Sequence, residues 1–500
     1  MSGNPATLIP VALFLLLGLG ITFFVRYQSR KRREAGFVSE YFIGSRSLGA
    51  FVLAMTTIAT YGSVSSFVGG PGQAWNVGFG WVYMATIQVT ALFLLYGIMG
   101  KKMALVSRKL GAITVIDVIR ARYNSNALAN VAALVIVLFF GATMVAQFVG
   151  GAKLFEAVTG YSYEVGLAIF GIAAILFTAL GGFRGVAFVD TLCGIAMIVG
   201  IFVLAGGILN AGGGYTNIME NLQTHNPQLL DPLGGGDMPI GLYFTQWLLV
   251  GVFTFCLPQS VVRCMGYKDS KSLRQAMIIG TIIIGAMMIG VTALGVLAKG
   301  ILPADLSAYG NSVDNIIPLA IVQSLPPWLA GVAIIGPVAA SISTVASLLI
   351  FSSSSIIKDM YLHYREEKND VPSGKQVARY SQVFTFVVGV IVFVLSVVPP
   401  DVIWKINMFA FGGLETAFCW ILVMGLFWKK ANKIGALCSM VGGTLAYCGT
   451  MAAGITFFGL HQIVIGITVS LLCMVIGSLV VSSKATSEKE KEIRLVFFGE

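Results

Sequence analysis

Apolar residues along the 500-residue chain fall into thirteen long runs that are separated by short polar segments. Each run has about the 20 residues that an α-helix needs to cross the hydrocarbon core of a bilayer. The pattern therefore predicts an all-α polytopic membrane protein with thirteen transmembrane helices. The runs cover residues 7–25, 47–69, 78–99, 127–150, 163–182, 188–211, 239–262, 275–298, 327–357, 379–399, 402–426, 434–456 and 461–482.

Two of these runs are interrupted by polar residues, glycine or proline. The second run contains ATYGS at 59–63 and a further break near Pro71, and the seventh contains LPQS at 257–260. Interrupted helices at corresponding positions of two halves indicate an inverted-repeat transporter. The predicted units are a leading helix in 1–26, a first five-helix repeat in 47–211, an inverted repeat in 239–426, two trailing helices in 434–482 and a cytoplasmic tail in 483–500.

The basic residues alternate from one side of the predicted helices to the other. Segments assigned to the inside contain 29 of the 32 lysines and arginines, and segments assigned to the outside contain three. Because basic loops stay in the cytoplasm, the N-terminus is expected outside and the C-terminus inside. The first run is followed, not preceded, by its basic residues, so it is not expected to be a cleaved signal peptide.

Composition excludes several other classes of protein. Hydrophobic residues make up 57% of the chain and charged residues 11%, whereas soluble domains have about 25% charged residues. The net charge of +10 lies in short loops and forms no nucleic-acid-binding motif. No phosphate-binding loop, nucleophile–base pair or metal-ligand cluster is visible, so neither an enzyme nor a cofactor is expected.

Neutral oxygen atoms are concentrated at the break in the second run and in the ninth run. Ser343 and Thr344 follow Ala340 by three and four residues, so all three lie on one helical face. Ala59 and Gly62 are three residues apart, where an interrupted helix frees its carbonyls. Five such oxygens suit a weakly held monovalent cation. Alternatively, the hydroxyls bond to their own helix or join two closely packed helices.

Two acidic residues lie in or beside the apolar runs. Asp190 opens the sixth run and Glu415 lies within the eleventh. An acid at membrane depth usually faces a transport pathway or a partner. Asp190 could instead cap a helix at the cytoplasmic end, and Glu415 could be protonated and hydrogen-bonded. Trp328 and Trp404 are expected to anchor the protein at the outer membrane interface.

Several segments resemble the sodium/solute symporter family, and the resemblance covers nearly the whole chain after the first run. They are EYFIGSR at 40–46, ATY at 59–61, SSFVGGPG at 65–72, RC at 263–264, YKDSK at 267–271, FGGLE at 411–415, GLFWKKANKIGA at 425–436 and SMVG at 439–442. Family members that transport proline have an aspartate at the position of Tyr61. The tyrosine here argues against proline as the solute.

The resemblance implies a five-plus-five inverted-repeat core that works by alternating access. It implies a sodium site formed by backbone carbonyls and hydroxyls, with Asp190 supporting it from near the cytoplasmic side. The implied sodium ligands are Ala59, Gly62, Ala340, Ser343 and Thr344. The implied solute contacts are Tyr61, Ser63, Gln147 and Gln259.

The expected function is sodium-coupled import of pantothenate, with another small carboxylate or solute as the alternative. The expected location is a bacterial inner membrane, where the protein is expected to act as a monomer. A channel would need a repeated polar stripe, which no run contains. A sensor module would need a longer tail than the one after the last run.

Overall fold

The computed structural model describes residues 4–43, 46–234, 239–303, 312–370, 372–398, 403–481 and 488–499. Within those ranges the chain is helical almost throughout and contains no β-strand. Leu48 and Tyr267 form one isolated parallel bridge. The described segments therefore form an all-α protein, as the apolar runs predict.

The described ranges contain 22 α-helices, and short π or 3₁₀ turns join several of them. The helices are α1 Pro5–Ile43, α2 Ala50–Tyr61, α3 Gly70–Val77, α4 Phe79–Ala85, α5 Val89–Leu94, α6 Lys101–Leu110, α7 Val115–Tyr123, α8 Asn126–Thr159, α9 Tyr163–Ala211, α10 Tyr215–His225, α11 Ile240–Trp247, α12 Pro258–Val261, α13 Arg263–Gly266, α14 Ser270–Leu297, α15 Ile316–Ser324, α16 Pro327–Ser353, α17 His363–Glu367, α18 Gly374–Leu395, α19 Ile403–Phe427, α20 Lys433–Ala452, α21 Ile463–Val480 and α22 Glu488–Phe498.

Many of these helices are long and apolar enough to cross a membrane. The described residues contain ten such helices, or twelve if each of two bent pairs counts as one span. One bent pair joins Ala50–Tyr61 to Ser65–Val77 at 63°, and the other joins Ile240–Cys256 to Pro258–Gly266 at 43°. The two interruptions predicted from the sequence are thus present in the fold.

Helix α16 forms the centre of the molecule. Every residue from 336 to 353 is buried, and the helix packs against α1, α2, α8 and α9. Small residues allow the helices to approach closely: a Cβ atom on Gly200 of α9 would lie 3.0 Å from the Cα atom of Gly336. Such contacts between small residues are typical of helix packing in membranes.

Helix α9 is interrupted at Gly182. Its 49 residues would span about 74 Å if straight, more than twice the hydrocarbon thickness of a bilayer. Gly182 has φ 61° and ψ −170°, a conformation that only glycine adopts readily. A Cβ atom there would also lie 2.8 Å from the ring of Tyr41. The chain therefore changes direction at this glycine.

Two features near the N-terminus add to or correct the sequence prediction. The backbone of α1 continues to Ile43, beyond the apolar run that ends at residue 25, because lysine and arginine are good helix formers in water. The expected break near Pro71 is absent: a π turn over Ser65–Gly69 leads into α3, and Pro71 lies in its first turn. Proline is tolerated there because the first N–H groups have no helical partner.

The C-terminal tail predicted at 483–500 contains helix α22, which packs against the rest of the molecule. Phe497 is 3% exposed, and the guanidinium of Arg122 lies 5.8 Å and 5.3 Å from the ring centres of Phe497 and Phe498. Arginine–aromatic contacts of this kind are attractive. Residues 483–487 and 500 of the predicted tail lie outside the described ranges.

Candidate functional site: an ion site and an adjoining cavity

Helix α2 ends in the middle of the protein, where glycine and hydroxyl residues replace apolar ones. Its last residue is Tyr61, and Gly62 takes an extended conformation with φ −69° and ψ 114°. The N–H of Gly62 donates to the carbonyl of Ile58 at 2.7 Å. The carbonyls at the end of α2 have no next helical turn to bond, so they are available to another ligand.

The hydroxyls of α16 meet these carbonyls. The Oγ atom of Ser343 lies 2.9 Å from the carbonyl oxygen of Ala59, and the Oγ1 atom of Thr344 lies 3.4 Å from that of Gly62. Both hydroxyls also approach the carbonyl oxygen of Ala340, at 3.2 Å and 2.9 Å. All five residues predicted as sodium ligands are therefore adjacent, and all five are buried.

This oxygen cluster joins two helices that are distant in sequence. In the structure the two hydroxyls donate to carbonyls of α2 and of their own helix, which is the arrangement expected of interhelical hydrogen bonds. A monovalent cation could bind the same atoms if each hydroxyl turned its hydrogen away and offered a lone pair. The geometry therefore suits both interhelical hydrogen bonds and cation binding. Either interaction joins α2 to α16.

Asp190 lies beside this cluster and is fully buried. Its Oδ2 atom accepts hydrogen bonds from Thr56 of α2 at 2.7 Å and from Ser347 of α16 at 3.3 Å. Asp190 lies inside α9, eight residues after the break at Gly182, so it does not cap a helix end. Ser347 is one helical turn from Ser343, so Asp190 contacts both helices that carry the oxygen cluster.

Arg263 is the partner of Asp190, and the sequence analysis missed it as a site residue. Its Nη2 atom lies 3.5 Å from Oδ2 of Asp190 and 3.0 Å from Oγ of Ser347, and it also donates to Thr60. Its Nη1 atom donates to the carbonyl of Gln259 at 2.6 Å. The guanidinium thus links the second interrupted span to α2, α9 and α16.

Arg263 follows the seventh apolar run directly in the sequence, and its side chain is 1% exposed. Two sequence features could have identified Arg263 as a site residue. It directly follows the apolar residues Val261 and Val262, and Asp190 is an acid in another apolar run that needs a partner. Removing one member of a buried ion pair costs about 3–5 kcal/mol, because the other charge is left without a partner. The pair therefore holds three helices in a fixed arrangement beside the oxygen cluster.

A small cavity of about 30 Å³ lies on the other side of the α2 break. It has room for about one water molecule. Its lining residues come from both interrupted spans, from α4 and the 3₁₀ turn after it, and from α14 and α19. They are Tyr61, Ser63, Ser65, Ser66, Gly70, Trp81, Gln88, Val250, Met288, Thr292, Trp404, Asn407, Met408 and Phe411.

Tyr61 and Ser63 are the two predicted solute contacts that line this cavity. The hydroxyl of Tyr61 donates to the backbone carbonyl of Val250, which lies in the π turn of the second interrupted span. Tyr61 therefore connects the two interrupted spans directly. Solute and protein would compete for the same hydroxyl when the cavity enlarges.

Gln147 and Gln259 are buried but are not among the cavity-lining residues. The Oε1 atom of Gln147 accepts from the N–H of Val64 at 2.8 Å, just after the α2 break. Its Nε2 atom and the Oε1 atom of Gln259 have no hydrogen-bond partner. Their assignment as solute contacts stays a prediction, and Gln147 has a structural role in holding the interrupted backbone.

Trp404 and Asn407 are cavity residues that the sequence analysis did not assign. Trp404, expected as a membrane anchor, instead lines the cavity and packs edge-on against Trp81, with ring centres 5.3 Å apart. The side chain of Asn407 is 2% exposed, and its Oδ1 atom has no partner. The sequence could have indicated Asn407 as a cavity residue, because it is a polar residue within an apolar run.

Comparison with known proteins identifies the family. The model of the sodium:solute symporter family matches residues 41–443. The sodium/pantothenate symporter of Escherichia coli is 42% identical over 94% of this chain and 96% of that protein. The sodium/pantothenate symporter of Haemophilus influenzae is 39% identical over 95% of this chain and 96% of that protein.

Solved structures agree with the fold. A Na⁺-coupled sialic acid symporter in a substrate-bound, outward-open state superposes with a TM-score of 0.81 at 19% identity, over 96% of this chain and 99% of that one. A nucleobase-cation-symport-1 family transporter gives a TM-score of 0.57 at 13% identity, over 91% and 98%. The chain therefore belongs to the sodium:solute symporter family, as a plasma-membrane transporter with sodium as the co-transported ion, and is not an enzyme.

Proposed function

We propose that this protein imports pantothenate together with sodium by alternating access. The support for the solute is the similarity to two sodium/pantothenate symporters, at 42% and 39% identity over almost the full length of each chain. Both interrupted spans contribute to one cavity, which is where a solute would be enclosed.

The observation that carries the sodium assignment is the contact of the α16 hydroxyls with the α2 carbonyls. Ala59, Gly62, Ala340, Ser343 and Thr344 bring five neutral oxygens together at the break in α2. Neutral carbonyl and hydroxyl oxygens suit a hard cation, and the absence of a formal charge among them keeps binding weak enough for release.

The proposed cycle uses this connection between α2 and α16. Sodium binds from outside, ties the two helices together and completes the solute cavity. Solute binding then allows the outer pathway to close and the inner one to open. The separation of α2 from α16 spreads the five oxygens, and sodium leaves toward the cytoplasm. Asp190, paired with Arg263, keeps the helices aligned beside the site.

The proposed topology has thirteen spans, which follows if α9 crosses the membrane twice around Gly182 and each bent pair counts once. The N-terminus is outside and the C-terminus is cytoplasmic. Repeats 47–211 and 239–426 form an inverted five-plus-five core, since each begins with an interrupted span. Helix 1–26 precedes this core, the helices in 434–482 and the tail 483–500 follow it, and the protein acts as a monomer in the bilayer.

The test is uptake of labelled pantothenate into proteoliposomes after a sodium jump. We expect accumulation that requires an inward sodium gradient and is blocked by unlabelled pantothenate, but not by proline, acetate or a sugar. Absence of pantothenate uptake together with sodium-driven uptake of another labelled small carboxylate would replace the proposed solute. Equal uptake in potassium and sodium would contradict the proposed coupling.

A further inference from the structure

Glu415 is a buried acid that the proposed cycle leaves unused. Its side chain is 0% exposed, and neither of its carboxyl oxygens has a hydrogen-bond partner among the residues that the structure describes. It lies in α19, four residues after Phe411 and eight after Asn407, so the three residues share one helical face. Phe411 and Asn407 line the cavity, which places Glu415 one helical turn beyond it.

The surroundings of Glu415 are uncharged. The titratable groups that interact with it are Tyr61 of α2, Cys256 of the second interrupted span, Cys419 of α19 and Tyr447 of α20. No lysine or arginine in the described part of the chain interacts with it. From α8, the apolar ring of Phe139 packs against the neighbouring Gly413.

An ionised carboxylate in this position would have neither a counter-ion nor a hydrogen-bond donor. Burying an unpaired charge is so unfavourable that the group takes a proton instead. An anionic solute also favours the protonated form of Glu415, because a negative charge one helical turn from the cavity would repel the solute.

We propose that Glu415 must be protonated for an anionic solute to bind in the adjoining cavity. The neutral carboxyl removes the repulsion, and its O–H group donates to an oxygen of the solute when the cavity enlarges. The proton stays on Glu415 and is not transported. This inference rests on the proposed function, since it takes the solute to be a carboxylate such as pantothenate.

The test is the pH dependence of the pantothenate concentration for half-maximal, sodium-driven uptake into proteoliposomes. In the wild-type protein this concentration should rise about tenfold per pH unit above the pH at which Glu415 loses its proton, because binding then requires the uptake of one proton. Pantothenate does not change charge in this range, since ordinary carboxyls ionise near pH 4. In Glu415→Gln the concentration should stay low and independent of pH.

The matched control is Glu156→Gln, which removes an exposed acid from α8 and should keep the wild-type pH profile. A wild-type profile that is flat over the whole alkaline range in which the protein stays folded would overturn the inference. So would a Glu415→Gln variant that keeps the wild-type slope, or one that loses pantothenate binding while still folded and sodium-responsive.

A measurement on the wild-type protein alone covers the case in which the variant does not fold. Calorimetry of pantothenate binding in two buffers of different ionisation enthalpy should show uptake of one proton per solute at alkaline pH, where the half-maximal concentration rises. Binding without proton uptake overturns the inference and leaves the proposed function intact. No sodium-dependent pantothenate uptake at any pH overturns the proposed function itself.

Discussion

At the scale of single residues, Ser343 and Thr344 are the side chains on which the sodium assignment depends. We expect Ser343→Ala and Thr344→Ala each to raise the sodium concentration for half-maximal uptake about tenfold or more, because a hydrogen-bonding contact to a charged group contributes about 1.5–3 kcal/mol. Sodium titrations of uptake at matched protein levels measure this effect.

The control for these two variants is Thr450→Ala. The Thr450 hydroxyl bonds to the carbonyl of Ala446 in its own helix, outside the proposed core. Its loss should leave the sodium dependence unchanged. If Ser343→Ala and Thr344→Ala behave like Thr450→Ala, the oxygen cluster joins two helices and does not bind the ion.

Asp190 and Arg263 allow a second test among single residues. Asp190→Asn and Arg263→Met should each reduce stability by about 3–5 kcal/mol, since each leaves a buried charge without its partner. The double variant should lose less than the sum of the two. Thermal unfolding of the purified proteins in detergent measures this. Additive losses would mean that the two charges do not interact.

The sequence predicted the oxygen cluster better than it predicted the ion pair. The residues at 59–63 and 340–344 are small or hydroxylated within apolar runs, and that pattern is unusual enough to be recognised. Arg263 stands at the end of an apolar run, where snorkelling cations are common. Only the fold shows that its guanidinium turns inward to Asp190, because the two residues are 73 positions apart in the sequence and no local pattern relates them.

At the scale of helices, Gly182 determines how α9 is arranged. Gly182→Ala should lower stability by about 1–3 kcal/mol from the backbone conformation alone, and the contact with Tyr41 adds to this loss. The matched control is Gly185→Ala, where a Cβ atom meets nothing within 4 Å and alanine favours the helix. Equal unfolding temperatures for the two variants would contradict a directional break at Gly182.

Helix positions followed from the sequence more closely than helix ends. The apolar runs locate the long helices because a bilayer requires about 20 consecutive apolar residues. The end of α1 at Ile43 was missed because a polar helix continues in water without any apolar signal. The uninterrupted start of α3 was missed because Pro71 breaks a helix only when it lies beyond the first turn.

At the scale of the whole molecule, the balance of charges predicts how membrane potential affects transport. The oxygen cluster is neutral, and Arg263 offsets the charge of Asp190. One sodium ion entering with one pantothenate anion would move no net charge. We therefore expect the accumulation ratio to be insensitive to an imposed potential, and a tenfold sodium gradient to supply about 1.4 kcal/mol.

This prediction is checked in proteoliposomes with a potassium diffusion potential set by valinomycin. An unchanged accumulation ratio at inside-negative potential supports equal numbers of sodium ions and solute molecules. A ratio that rises with potential would mean that each pantothenate enters with more than one sodium ion, since each extra charge gains about 2.3 kcal/mol per 100 mV.

The hydrogen bond from Tyr61 to the carbonyl of Val250 closes one interrupted span onto the other when the cavity is small. A symporter stays coupled only if the carrier that holds sodium without solute does not change sides. Tyr61→Phe would remove this hydrogen bond between the two spans, so sodium would leak inward without solute and the sodium gradient would run down.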